Sequence, residues 1–151
     1  MLYMEVKKEF SKEGKLISTT PYFNGKRHGL HQTYSSKTGL LSQMVETLDH
    51  TGDNWDYYEF YETGGLKFRM PMRNRKRNGV CLCWYEDGVL LMRDEWKDDN
   101  LNGVRTEWYP NGQKKQEATF VNDEIEGFYT RWNEQGDIVY RKFHVKGVAQ
   151  D

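Results

Sequence analysis

The sequence predicts an all-β chain, an elongated and twisted single antiparallel sheet wound as a meander of about six β-hairpins. Three observations predict it. The first is a repeat: the stretch from Gly79 to Gly88, with Trp84-Tyr85 inside it, returns 24 residues later from Gly103 to Gly112 with Trp108-Tyr109, and again from Gly127 to Gly136 with Trp132-Asn133. The second is alternation within each repeat, where Val80, Leu82 and Trp84 fall on one side because strand side chains have period two. The third is a glycine at a fixed place after the aromatic, as in Glu86-Asp87-Gly88 and Pro110-Asn111-Gly112, which supplies the positive φ of a tight hairpin. No segment carries sustained helical periodicity or a clear helix cap.

The elements follow in order. Repeat units begin near residues 5, 29, 55, 79, 103 and 127, and together they make one repeat domain over residues 1–151. The first unit lacks the leading glycine, with Glu5 in its place, and the third has Trp55 there. A two-residue expansion lies between Asp49 and Asn54. Each unit runs strand, glycine turn, second strand and a polar turn into the next unit, such as Asn24-Gly25-Lys26-Arg27-His28 or Asp98-Asp99-Asn100-Leu101-Asn102. Twelve strands are expected.

Stacking the units gives columns. Phe10, Tyr34, Phe60, Trp84, Trp108 and Trp132 form an aromatic column on the first strands. Tyr22, Thr47, Met72, Trp96, Phe120 and His144 form a column on the second strands. Leu16, Leu41, Leu66, Leu90, Lys114 and Ile138 form a third. The expectation is that all three share the buried face, each cross-strand pair adding roughly 0.2–1 kcal/mol over alanine. Such a sheet explains an odd composition. Only 36% of the 151 residues are hydrophobic, yet 15% are aromatic and 14 are glycine. Disordered chains are poor in aromatics, so disorder is excluded. A one-sided sheet keeps the other face polar.

The pattern Trp84-Tyr85-Glu86-Asp87-Gly88 and Trp108-Tyr109-Pro110-Asn111-Gly112, followed by an aromatic strand, resembles the MORN-repeat variant. Bacterial proteins of this kind are called YwqK-type antitoxins, and the resemblance runs from residue 5 to about residue 147. It implies a non-enzymatic hairpin array acting as a protein-interaction or scaffold surface, with an antitoxin or immunity-type role in which a toxin is bound and occluded. The better-known MORN arrays are linked to membrane lipid head groups and to scaffolding, and their glycine-richer pattern is met less well.

Chemistry-bearing residues are few. Cys81 and Cys83 sit two apart on one strand facing the same way, nearly 7 Å apart, which disfavours a bridge between them. They are read as small reduced side chains on the wet face, which leans toward a reducing, cytoplasmic compartment. No secretory h-region opens the sequence and no apolar run is long enough for a membrane helix. His28, His31, His50 and His144 are scattered over separate units, and Glu59 and Glu107 recur in one solvated column. Neither a catalytic constellation, a metal site nor a cofactor motif emerges. The expectation is a protein that is not an enzyme.

The wet face carries the binding hypothesis. Tyr61, Tyr85 and Tyr109 follow the aromatic in three consecutive units, with Tyr57, Tyr129, Arg69, Arg93, Arg105, Lys115, Arg131 and Arg141 expected beside them. Tyrosine and arginine are enriched at protein–protein hot spots, which points to a partner protein. The alternative is anionic lipid or polysaccharide, met by the exposed aromatics and by the basic loop Arg73, Arg75, Lys76 and Arg77. Residues 1–78 hold 13 Lys+Arg against 9 Asp+Glu, and residues 79–151 hold 9 against 14. With 22 basic and 23 acidic residues overall, the balance argues against a nucleic-acid partner.

Overall fold

The computed structural model describes residues 3–49 and 51–151, so the expectations that fall on Met1, Leu2 and His50 lie outside the described residues. The chain divides into two compact units, Met1–Arg75 and Lys76–Asp151. Both are antiparallel meanders, and no helix occurs among the described residues. The all-β hairpin architecture read from the repeat is therefore the architecture found.

The first unit contains β1 (Met4–Phe10), β2 (Leu16–Phe23), β3 (Lys26–Arg27), β4 (Gly29–Tyr34), β5 (Leu41–Thr47), β6 (Trp55–Phe60) and β7 (Leu66–Arg73). The second contains β8 (Lys76–Arg77), β9 (Gly79–Trp84), β10 (Leu90–Lys97), β11 (Asn100–Leu101), β12 (Gly103–Trp108), β13 (Lys114–Val121), β14 (Glu124–Ile125), β15 (Gly127–Trp132), β16 (Ile138–Val145) and β17 (Val148–Ala149). The twelve expected strands are present, and five two-residue strands accompany them among the described residues.

The short strands have a cause in the turns. Asn24-Gly25, Asn74-Arg75, Asp98-Asp99, Asn122-Asp123 and Lys146-Gly147 all have positive φ at both residues. That is the type I′ geometry, whose twist matches the strands it joins and which Asn, Asp and Gly tolerate best. The turn reverses the chain tightly enough to add one two-residue pairing before the glycine, such as Trp96↔Leu101 and Phe120↔Ile125. Among the described residues between Leu48 and Asn54 no such strand occurs. There the Asp49 carboxylate gathers the Thr51 and Gly52 amides at 2.9 Å each and the Thr51 hydroxyl at 2.7 Å, with Asn54 on its second oxygen. These hydrogen bonds hold its carboxyl well below the ordinary carboxylate range.

The register corrects the expected core. In the hairpin of β9 and β10, Trp96 lies opposite Gly79 and Asp94 opposite Cys81, whereas Leu90 lies opposite Trp84. Gly79, Cys81 and Cys83 share one side of β9, and Val80, Leu82 and Trp84 share the other. The Trp96 column therefore lies on the cysteine face, and the Trp84 and Leu90 columns lie on the tryptophan face. Six residues separate glycine from aromatic inclusively, an even count, so the two ends of the first strand point opposite ways.

Burial follows the strand middles of both faces. Cys81, Ala118 and Asp94 on the cysteine face and Asp56, Thr106 and Thr130 on the tryptophan face are all buried. The aromatic column is half-buried at Trp84, Trp108 and Trp132, and Phe10 at its start is 58% exposed. A single layer has no second layer to press against. Neighbouring strands can cover side chains only at mid-strand, so the aromatic ladder near the turns does not become a sealed core.

Candidate functional site

The residues singled out on the sequence fall in three places. Tyr57 and Arg105 lie on the cysteine face, opposite Met70 and Ala118. Arg69 and Arg93 lie on the tryptophan face, opposite Tyr58 and Leu82. Tyr61, Tyr85 and Tyr109 open the hairpin turns, where each backbone amide closes its own turn. One wet face was expected to hold them all; the two-residue period of the strands separates them instead. Cys81, expected on that face, is 2% exposed, and burial, first, and the neighbouring Asp94 carboxylate push its thiol up to about 12. That holds it in the inert thiol form.

Tyr85 and Tyr109 have a structural role. The Tyr85 hydroxyl donates to the Trp108 carbonyl at 2.9 Å, and the Tyr109 hydroxyl donates to the Trp132 carbonyl at the same distance. Each ties the turn of one hairpin to the aromatic of the next. Asn133 stands at the corresponding place in the last repeat and instead holds its own turn, taking the Gln135 and Asp137 amides on its side-chain oxygen.

The basic loop is largely neutralised. Arg73 reaches the Asp56 carboxylate at 2.8 Å, Arg75 reaches Asp53 at 2.5 Å and Arg77 reaches Asp99 at 3.2 Å. Arg77 also lies over the Trp96 ring at 3.8 Å. Asp56 is only 5% exposed, yet two arginines grip it, Arg69 at 2.8 Å being the other. Burial pushes its carboxyl up, but the hydrogen bonds from Arg69 and Arg73 outweigh this and hold it below the ordinary value. Asp94 shows the opposite outcome. It is 2% exposed, its nearest cation, the Arg105 Nε, is 3.5 Å away without a hydrogen bond, and burial pushes its carboxyl up.

Two features were not read from the sequence. On the tryptophan face of the last hairpins, Phe128 is 51% exposed and Phe143 44%, with their rings edge to face at 5.2 Å. The Arg141 guanidinium lies 4.2 Å from the Phe128 ring. Ile138, Val139, Val145 and Val148 are exposed around them, and a groove of about 430 Å³ runs between Val104, Thr119, Phe128, Trp132 and Ile138. On the cysteine face of the same unit, a depression of about 230 Å³ is bounded by Arg105, Glu107, Gln116, Phe120, Ile125 and Tyr129 over Ala118. The signal for the first was available: Phe128, Val139 and Phe143 stand at repeat positions held by Asp56, Lys67 and Glu95 in other units.

Residues 101–122 match the family model described as MORN repeat variant. That segment is one repeat length, from β11 through β13 and into the Asn122 turn. No curated protein matches the chain. Among solved structures it is similar to one titled "Crystal Structure of TarM", at 11% identity and a TM-score of 0.44, covering 80% of this chain. The aligned part is 20% of that longer chain, so this chain spans about a fifth of its length. Among the described residues no group of three or more His, Cys, Asp or Glu side chains is placed to hold a metal ion, and no helix is long and apolar enough to cross a membrane.

Proposed function

We propose that this chain is a non-enzymatic docking module that binds a partner protein through the tryptophan face of its second unit, and that the partner is a toxin whose working surface it occludes. The observation that carries the reading is the Phe128/Phe143 pair. Two large aromatic rings, each about half exposed, stand on a regular sheet with an arginine against them and four exposed aliphatic side chains around them. Leaving that much apolar surface in water forgoes roughly 25 cal/mol per Å². Contiguous apolar patches of this sort mark interaction sites, and aromatic residues with arginine dominate hot spots. The match of residues 101–122 to a repeat of the binding and scaffold type supports the same reading.

The test is purification of the intact chain from the cells that make it. A protein is expected to co-purify at a fixed stoichiometry, and Phe128→Glu with Phe143→Glu is expected to release it with the β-sheet circular dichroism unchanged. Restored growth of cells expressing the captured protein, upon co-expression of this chain, tests occlusion. Retention of the partner by the double variant overturns the assignment of this face.

A further inference from the structure

We propose that the cysteine face of the second unit holds a second binding pocket, centred on Ala118, for an apolar group that carries a carboxylate, as presented by the C-terminal residue of a partner chain. It goes beyond the docking patch and lies on the opposite face of the sheet.

The pocket comes from one small residue in a column of larger ones. The positions equivalent to Ala118 are Thr20, Val45, Met70, Asp94 and Lys142. Arg105 lies opposite Ala118 on β12, and the pairing of Gln116 with Arg131 and Glu117 with Thr130 brings Tyr129 opposite it on β15. Along β13 its same-face neighbours are Gln116 and Phe120, and Phe120 pairs with Gly103 on one side and Ile125 on the other. A methyl group ringed by long side chains leaves a depression, and its volume of about 230 Å³ suits one residue rather than a chain segment. Its floor, Ala118, Phe120 and Ile125, is apolar.

The rim selects the ligand by what is left unspent. Its acceptors are engaged: the Glu107 carboxylate faces Arg105 at 3.3 Å and Lys115 at 4.0 Å, and the Gln116 carbonyl oxygen accepts the Tyr129 hydroxyl at 2.7 Å. One of its donors is free: the Gln116 amide nitrogen makes no hydrogen bond among the described residues, and just outside the lining the exposed Arg131, which pairs with Gln116 across β13 and β15, makes no hydrogen bond or ion pair among them. Arg105 also lines the pocket, but its guanidinium is held by Glu107 at 3.3 Å and Asp94 at 3.5 Å. Unspent donors around an apolar floor call for an anionic acceptor on an apolar body. On this face the register places Arg105, Arg131 and Lys142 against Asp94 and Glu107, a positive balance. The unit as a whole is acidic, with 11 Lys+Arg against 14 Asp+Glu over residues 76–151. A terminal residue with an aliphatic or aromatic side chain meets both requirements at once: the side chain on Ala118 and Phe120, the α-carboxylate on Arg131 and Gln116.

Amide NMR titration of the full chain tests this with three probes: a Ser/Gly pentapeptide ending in leucine, the same peptide amidated at its C-terminus, and N-acetyl-leucine. The free-acid peptide is expected to shift the Ala118, Ile125 and Tyr129 amides and to bind at least tenfold more tightly than the amidated one. Arg131→Gln is expected to erase that preference. Ala118→Met is expected to block binding with the fold intact, because Met70 already occupies the equivalent place in the first unit. Equal response to acid and amide, or shifts away from these residues, overturns the pocket. N-acetyl-leucine binding as tightly as the peptide overturns a partner chain as the source. Loss of the Phe128/Phe143 patch leaves all of these readouts standing.

Discussion

Two halves of one repeat array solve the same folding problem with different side chains. In the first unit, serines brace the turns and lysines link them. The Ser11 hydroxyl oxygen accepts the Glu13 and Lys15 amides, and the Ser35 oxygen accepts the Thr38 amide. Exposed Lys15 and Lys37 reach the Ser36 carbonyl and Glu62 in the following turns. In the second, Tyr85 and Tyr109 reach past their own turns to the next hairpin's carbonyl. The buried strand middles differ as well. The first unit buries Ser18 and Thr20, each hydrogen-bonded, to Glu9 at 2.8 Å and to His31 at 2.6 Å. The second buries Cys81, Asp94 and Ala118, with Asp94 incompletely paired. A repeat specifies a backbone; the occupants of its columns decide whether a unit is merely satisfied or keeps surface and polar groups in reserve. Exposed apolar side chains occur in both units, but among the described residues the buried side-chain atoms without a hydrogen bond on Asp94, Trp96 and Arg105 lie in the second, with Arg69 their one counterpart in the first.

The contrast between Asp56 and Asp94 gives the largest expected effect. Asp56→Ala leaves Arg69 and Arg73 without their shared carboxylate, and breaking a buried pair costs about 3–5 kcal/mol. Both arginines are more than a third exposed, so solvent screening reduces this to about 2–3 kcal/mol. Asp94→Asn should raise the melting temperature at pH 7, because burial of the charge outweighs the attraction of Arg105 at 3.5 Å. The pH dependences have opposite sign. The folded-state pKa of Asp56 is depressed, so its contribution is present above the unfolded value near 3.8 and is lost as pH falls through the folded value. That of Asp94 is raised, so its charge costs stability above the folded value and the cost disappears on acidification. Melting curves of the two variants against wild type from pH 7 to pH 2 should show both differences shrink, that of Asp94→Asn from above before the pH reaches about 3.8, and that of Asp56→Ala from below only beneath it. Convergence from one side only breaks the comparison.

A middle-sized effect separates the units at their leading glycines. Gly103 has φ +130°, and an added Cβ would collide with the Glu95 carboxylate and come within 2.6 Å of the Glu95 Cβ. Gly29, its counterpart in the first unit, has φ +80° and meets only Pro21 at 3.7 Å. Gly103→Ala should cost about 3 kcal/mol and Gly29→Ala about 1 kcal/mol, the backbone strain common to both and the collision added in one. Urea unfolding of the two variants reads the difference.

The smallest effect is at the turn clips. Tyr109→Phe keeps the ring and deletes the hydroxyl that meets the Trp132 carbonyl, an expected loss of about 1 kcal/mol. Ser11→Ala, confined to its own exposed turn, should cost less. Hydrogen exchange should show faster opening near Trp132 in Tyr109→Phe, while partner capture through Phe128 and Phe143 persists.

By itself the sequence determined the repeat period, the hairpins, the glycine turns and the absence of helix, because all of these are local: period-two alternation and a positive φ at a fixed place need no knowledge of distant residues. It also held the columns, though not their faces. The Trp84 and Trp96 columns look alike on paper, and only the pairing of Trp96 with Gly79 puts them on opposite sides. The tyrosine stripe was visible as Tyr61, Tyr85 and Tyr109; that Tyr85 and Tyr109 are hydrogen-bonded clips depends on a carbonyl 23 residues away. The basic loop was plain in Arg73, Arg75, Lys76 and Arg77, and the carboxylates that meet three of its four cations come from 17 to 22 residues away. Ala118 carried no signal at all, since a pocket is defined by the neighbours that surround a small side chain. Tertiary structure decided which side chains meet across strands. That choice settles which charges, hydroxyls and rings are already spent and which remain for a ligand.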